Sequence, residues 1–412
     1  MALRSKLLIG IERRRKTTSM LCSKDIIFLL LTVLRLCSLP AATTAFVAKP
    51  FATVPRLVMH HGKNSSSRLQ VLDMNTITNL SVAETNSFLV PFFAASSLPF
   101  LLLPYFLSTR IKAFPKGATV GLAWVLVFGL LVGPTEYLTQ QTYGVSFFDC
   151  DYVHGTVSSL FAVGYTTTNI ALLQDLGRRD REEEPLGYGP ALQYTAIAAT
   201  LLLTVFLAEY LNDSQLHTPH WYGVLDLNGA WLDTSQEPAN ALSVATWLNH
   251  LLEISQFQMF MRLISLWGNR VGLDTSLLTW SFVPLQLGNI AIISFHLFYN
   301  QLAPLYLAFG LLLLAGNTTA AIAASVISSE EIGQNSSRLK QEPVQVDRPS
   351  VYAVKSLVIA LTAAYVVKYA SLEFQVADHL DLESAAKVVI PASIFVFWDV
   401  FRCTTVRARA SP

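Results

Sequence analysis

Long apolar runs constrain the fold of this chain more than any other feature. A helix needs about 20 predominantly apolar residues to cross the hydrocarbon core of a bilayer, and several runs reach that length. Only 14% of the 412 residues are charged, whereas soluble proteins carry about 25%. The sequence therefore predicts an all-α fold, a polytopic transmembrane helical bundle, and it excludes a disordered chain.

The first 75 residues have the composition of a cleaved targeting region. Basic residues precede an apolar stretch from Ile26 to Leu39, and small residues follow up to Ala45, which predicts a signal peptide over 1–45. Residues 46–75 begin with Phe46, lack acidic residues as far as Leu72 and contain a serine cluster, which predicts a transit peptide. The combination resembles the two-part plastid address of algae with secondary plastids. An ordinary secretory signal followed by a polar linker is the alternative.

About nine spans are expected after this region. The candidates are 87–108, 118–138, 154–176, 191–210, 241–267, 277–299, 302–328, 351–370 and 386–402. Loops 139–153, 211–240, 300–301 and 371–385 contain no Lys or Arg, and the opposite loops carry the basic residues. Because basic residues in short loops stay on the side from which the protein inserts, the mature N-terminus is predicted to be lumenal and the C-terminus stromal.

The spans group into modules along the chain. We expect a first three-helix membrane module at 87–180, a connecting helix with an acidic lumenal loop at 191–240, a second three-helix module at 241–328, and a C-terminal helix pair at 351–403. Span 241–267 is ambiguous because polar residues recur on one face at helical spacing. It crosses the membrane if this polar stripe faces protein, and it lies in the interface if it does not.

Ionisable residues inside predicted spans are functional candidates, because they are costly in lipid. The catalytic candidates are Glu136, His250 and Glu253, since a buried carboxyl and an imidazole can act as an acid–base pair. The candidates for cofactor binding are His154, His250, His296, Asn300 and Asn317. Neutral imidazole can ligate haem iron or chlorophyll magnesium, and a carotenoid is a further possible pigment. Most of these residues fall on the acidic side, which predicts a lumenal pocket; the alternative is a set of interfacial residues that never meet.

Several kinds of site are not predicted. The four cysteines form no CxxC pair, so they suggest neither a zinc site nor a disulfide framework, and no metal site is expected. The chain has no Walker A loop and no GxGxxG, which argues against a nucleotide. A net charge of +1 gives no indication of nucleic-acid binding. Without HExxH, GxSxG or an aspartate-rich prenyl diphosphate motif, the sequence leans against an enzyme.

Two segments resemble families from photosynthetic organisms. The residues that carry the first resemblance are Trp247, His250, Trp280, Pro284, His296-Leu297-Phe298-Tyr299-Asn300 and Gly316-Asn317-Thr318. On these, residues 240–328 resemble the uncharacterised hypothetical-chloroplast-reading-frame membrane proteins of cyanobacteria and plastids. Residues 87–180 resemble a second thylakoid domain of unknown function, on Tyr143-Gly144, Asp151-Tyr152-x-His154-Gly155 and Asn169. The resemblance implies a thylakoid or plastid-envelope membrane and supplies no activity.

These observations lead to three functional hypotheses. The first is an uncharacterised thylakoid membrane protein that aids assembly or stability of a photosynthetic complex, with membrane lipid and such complexes as its partners. The second is a membrane enzyme that acts on an isoprenoid or pigment by cyclase-like acid–base chemistry. The third is a small-molecule transporter.

Overall fold

The structure is a computed structural model, and it describes residues 81–181, 183, 187–193, 195, 241–330, 349–373 and 381–410. The predicted targeting region 1–75, most of the predicted span 191–210 and the acidic loop 211–240 lie outside the described residues. All statements below concern the described part of the chain.

Helices and short turns account for nearly all of the described residues, which form no β-strand. The helices are α1 (Val82–Tyr105), α2 (Lys116–Tyr143), α3 (Asp151–Asp180), α4 (Val244–Val271), α5 (Ser276–Ser281), α6 (Val283–Leu297), α7 (Ala303–Glu330), α8 (Pro349–Glu373) and α9 (Leu382–Ala410). A π-helical turn, Phe106–Arg110, continues α1, and a 3-10 turn, Phe147–Asp149, precedes α3. The all-α prediction is confirmed.

Local sequence signals fix several helix ends. Ser81 and Glu84 form a capping box at the start of α1, in which each side chain accepts a hydrogen bond from the backbone N–H of the other. Ser243 caps α4 by accepting from the Thr246 N–H at 3.2 Å. Gly144 and Gly272 end α2 and α4 with φ values of 71° and 77°, a conformation that glycine adopts without steric cost.

Six of the described helical segments are long and apolar enough to cross a membrane. They are Glu84–Arg110, Lys116–Tyr143, Ser276–Leu297, Ala303–Ile327, Val351–Lys368 and Leu382–Arg402. Large apolar side chains on α8 and α9 are exposed, among them Ile359, Phe395 and Trp398. Such surfaces fit contact with membrane lipid, as expected for an integral membrane protein.

The predicted count of nine spans is matched only in part. Predicted spans 154–176 and 241–267 correspond to α3 and α4, which have 30 and 28 residues but are not among the six apolar segments. At about 1.5 Å per residue both helices exceed the roughly 30 Å of the hydrocarbon core. Their polar character has a structural reason, because α3 and α4 pack against each other and against α2 and α8 in the middle of the bundle.

The polar stripe of α4 faces protein. Thr246, His250, Glu253 and Gln256 are all buried, whereas a helix lying in the interface would present its polar face to water. Phe260 and Trp267 on the same helix are fully buried as well. The packing therefore meets the condition under which this helix can cross the membrane.

Candidate metal centre

Three buried histidines from three helices converge at one end of the bundle. His154 lies in the first turn of α3, His250 in the second turn of α4, and His296 in the last turn of α6. The ring centroids form a nearly equilateral triangle, with separations of 4.9 Å (His154–His250), 4.8 Å (His154–His296) and 4.9 Å (His250–His296). One nitrogen from each ring lies within 4.8 Å of the other two. We call these three residues the histidine cluster.

Each ring of the cluster has one buried nitrogen without a hydrogen-bond partner among the described residues. These atoms are Nδ1 of His154, Nε2 of His250 and Nε2 of His296. A buried polar atom left without a partner costs about 1–3 kcal/mol, so most such atoms in proteins are paired. Three of them in one place therefore call for an explanation.

Glu253 fixes the orientation of the His250 ring. His250 Nδ1 and Glu253 Oε2, one helical turn further along α4, are hydrogen-bonded at 3.1 Å. In the tautomer with Nδ1 protonated, Nδ1–H donates to the carboxylate and Nε2 of neutral His250 carries the lone pair that a metal needs. A carboxylate that holds the second nitrogen of an imidazole is the usual support of a metal-ligating histidine.

Asn300 plays the same part for His296. Its amide Nδ2–H donates to Phe148 O at 3.1 Å and to Asp149 Oδ1 at 2.8 Å, so its Oδ1 is the acceptor for the His296 Nδ1–H at 2.7 Å. Nε2 of His296 then carries the lone pair. The turn after α6 makes this contact possible, because Tyr299 and Asn300 adopt φ values of 53° and 60°. Left-handed backbone costs about 1–2 kcal/mol per non-glycine residue, and such outliers concentrate at functional sites.

Aromatic side chains of the turn before α3 cover the cluster. Phe147 lies 4.8 Å from the His154 ring, and Phe148 lies 5.4 Å from His154 and 5.6 Å from His296. Glu136 of α2 holds this turn in place by two hydrogen bonds. Its Oε2 accepts from the Phe147 N–H at 2.7 Å and from the Ser146 hydroxyl at 3.1 Å. The predicted catalytic candidate Glu136 thus holds the turn that covers the histidines.

The starts of α3 and α4 are joined directly beside the cluster. Asp151 Oδ1 accepts from the Ser243 N–H at 2.9 Å, and Asn249 Nδ2–H donates to Gly155 O at 2.8 Å. These contacts fix the position of α3 along α4, and they therefore place His154 close to His250.

Cys150 is not one of the converging donors. It is buried next to Asp151, but the group of ligand atoms among the described residues consists of the three histidines. The donor set is three imidazole nitrogens.

The structure brings together most of the residues singled out from the sequence. His154, His250, His296, Glu253 and Asn300 form one site, in contrast to the alternative in which the polar residues never meet. Asn317 does not join them: it is buried in α7, 14 residues after the helix begins, or about 21 Å along its axis. The sequence analysis missed Asp151 and Phe148 as site residues, although Asp151 stands in the motif Asp151-Tyr152-x-His154-Gly155.

Two family models match two separate segments of the chain. Residues 90–177 match a family described as a protein of unknown function (DUF3593), and residues 241–326 match another with the same description (DUF2499). No curated protein and no solved structure matches the chain. The matches agree with the two uncharacterised segments inferred from the sequence.

The histidine cluster draws its residues from both matched segments. His154 belongs to the segment 90–177, whereas His250 and His296 belong to the segment 241–326. Neither segment by itself contains all three histidines. The cluster is therefore a feature of the interface between the two.

Proposed function

We propose that this protein is an integral membrane metalloprotein that binds one divalent transition-metal ion with His154, His250 and His296. The observation that carries the proposal is a group of three buried histidines that offer one ligand nitrogen each within 4.8 Å of one another. Each of these rings also has one buried nitrogen without a hydrogen-bond partner among the described residues. Bonds of about 2.0–2.1 Å to zinc place ligand nitrogens about 3.4 Å apart. Side-chain shifts of about an ångström would bring the three nitrogens to that spacing.

The donor set favours particular metals. Imidazole suits Zn²⁺, Cu²⁺, Fe²⁺ and Ni²⁺, whereas Mg²⁺ and Ca²⁺ prefer oxygen. Three histidines with one further position is the pattern of catalytic zinc sites, so the centre could polarise a small bound molecule or activate water. Such chemistry is compatible with the sequence-based hypothesis of a membrane enzyme. The metal ion would then take the role that the hypothesis gave to a carboxylic acid.

A bare ion fits the cluster better than a pigment. Haem or chlorophyll needs a wide, flat space beside its axial ligand. The three rings instead contact one another, and Phe147 and Phe148 pack against them. Ligation of a macrocycle by one histidine would leave the other two nitrogens unexplained.

The packing also favours a binding site over a route across the membrane. The polar stripe of α4 ends at Gln256, which is hydrogen-bonded to Asn169. Beyond it lie fully buried apolar side chains, including Phe257, Phe260 and Trp267. A transporter would need this layer to open, whereas a metal centre that serves one side of the membrane does not.

Metal analysis of the purified full chain tests the proposal. We expect about one zinc, copper, iron or nickel ion per chain after purification in mild detergent, or about one Zn²⁺ bound on titration of the chelator-treated protein. Elemental analysis by mass spectrometry and competition with a chromogenic chelator give the two numbers. Absence of both would contradict the proposal, and an absorbing pigment in stoichiometric amount would favour the pigment hypothesis.

We also propose that the centre works in a plastid membrane, the thylakoid, with the histidine cluster on the lumenal side. The two-part targeting composition of residues 1–75 and the acidic loops near the cluster support this setting. There the protein would aid the assembly or stability of a photosynthetic complex. A full-length chain with a C-terminal tag is expected to fractionate with thylakoids and to co-purify with such a complex. Recovery from the endomembrane system alone would contradict this setting.

A further inference from the structure

A buried lysine from outside both matched segments lies beside the start of α4, the helix that carries His250. Lys368, near the end of α8, is 2% exposed, and its Nζ donates to Leu242 O at 2.8 Å. Leu242 immediately precedes Ser243, the N-cap of α4. A buried ammonium group is costly unless a negative charge or strong acceptors compensate it.

The compensating charge is Asp151. Asp151 is 1% exposed, and it accepts from the N–H of the same peptide group whose carbonyl oxygen accepts from Lys368. Its Oδ1 accepts from the Ser243 N–H, and its Oδ2 has no hydrogen-bond partner among the described residues. The two opposite charges therefore sit on either side of the Leu242–Ser243 backbone.

Asp151 is also coupled to the histidine cluster. It stands one helical turn before His154 on α3, and its backbone carbonyl accepts from the hydroxyl of Thr246, one helical turn before His250 on α4, at 3.4 Å. Three neutral imidazoles bring no negative charge to a divalent ion, and in a low-dielectric interior the ion gains from a nearby carboxylate.

We infer that Asp151 and Lys368 are the charge-balancing pair of the histidine cluster. The inference rests on the proposed metal centre and extends it to α8. The negative charge of Asp151 stabilises the bound ion. The positive charge of Lys368 balances that of Asp151 and repels the ion. Both are positioning residues that act through charge, because neither belongs to the three-nitrogen donor set.

A double-mutant cycle on the full chain tests this pair, with Zn²⁺ as the probe. Asp151→Asn keeps an acceptor for the Ser243 N–H but leaves the Lys368 charge uncompensated, and we expect it to weaken Zn²⁺ binding by about 10–100-fold. Adding Lys368→Gln removes that charge yet retains a donor for Leu242 O. The double variant is expected to recover binding to within about threefold of the natural chain, because the two sites are strongly coupled.

Two matched controls separate charge from structure. Asp151→Asn with Lys368→Arg keeps the positive charge and should stay weak. Asp151→Asn with Lys387→Gln removes a mostly exposed lysine of α9, paired with Glu383 at 2.9 Å, and should also stay weak. If Lys368 served only to hold α8 to Leu242 by its hydrogen bond, the Asp151→Asn, Lys368→Gln variant would bind Zn²⁺ no better than Asp151→Asn alone. That result would overturn the inference.

The single variant Lys368→Gln provides a check that does not depend on Asp151→Asn folding. It should bind Zn²⁺ at least as tightly as the natural chain, and weaker binding would overturn the inference. Failure of the natural chain itself to bind any transition metal would overturn the proposed function as well. Normal binding by Asp151→Asn would overturn only the charge-balancing role.

Discussion

Replacing any one of His154, His250 or His296 with alanine is expected to weaken metal binding by more than about 100-fold, since loss of a supporting residue alone costs about 10–100-fold. Each imidazole supplies one of three nitrogens, and the described residues offer no fourth histidine, cysteine or carboxylate in the same group. Zn²⁺ competition titrations on chelator-treated protein give the affinities.

The three histidine variants should behave alike. His154→Ala is the most informative, because His154 lies in a different matched segment from the other two. Retained binding in His154→Ala, together with loss in His250→Ala and His296→Ala, would confine the site to residues 241–326 and contradict an interface centre. Asn317→Ala is a suitable control, since Asn317 is buried in α7 away from the cluster. This variant should bind metal with the same affinity as the natural chain.

Replacing Gly121 with leucine is expected to lower the free energy of unfolding by more than about 3 kcal/mol, or to prevent folding. A Cβ atom at Gly121 would lie 2.2 Å from Thr168 Oγ1 and 2.4 Å from Gly164 O on the facing helix α3. Neither neighbour can move away easily, because Gly164 O is backbone and the Thr168 hydroxyl already donates to it at 2.9 Å. Small residues at such crossings let membrane helices approach closely.

Thermal unfolding and the yield of monodisperse protein in detergent measure this effect. Gly133→Leu is the matched control on the same helix, because no other side chain or helix of the described part of the chain lies within 4 Å of a Cβ atom at that position. Equal stability of the Gly121 and Gly133 variants would mean that α2 and α3 are not in close contact. Since α3 carries His154, the Gly121 variant should also lose metal binding.

Much of the helical architecture follows from local sequence. Apolar run length predicts where membrane helices lie, and the predicted segments 87–108 and 118–138 fall within α1 with its π-helical turn and within α2. Segment 277–299 differs in detail, because the chain turns at Phe282 and divides it into α5 and α6. Pro284 lies in the first turn of α6, where a proline is tolerated because the backbone N–H it lacks would have no partner within the helix.

The candidate site was predictable only as separate residues. His154, His250 and His296 stood out because ionisable groups are rare in membrane helices, and their common position near the acidic loops indicated one side of the membrane. Their convergence depends on contacts between residues that are 96 and 46 positions apart along the chain, as counted from 154 to 250 and from 250 to 296. Hydrophobic periodicity contains no information about such pairs.

The sequence by itself determined the class of protein and the approximate places of its helices. A continuous run of about 20 apolar residues is a local property, and such a segment satisfies its own backbone hydrogen bonds in lipid when it is a helix. The tertiary structure decided the rest. Packing of α3 against α4 and of α4 against α6 turned three isolated histidines into one cluster. Tertiary contacts also brought Asp151 and Lys368 to the same peptide group at the start of α4. Helix-to-helix packing depends on the shape of whole surfaces, so the chemistry of this protein became visible only when those surfaces were in contact.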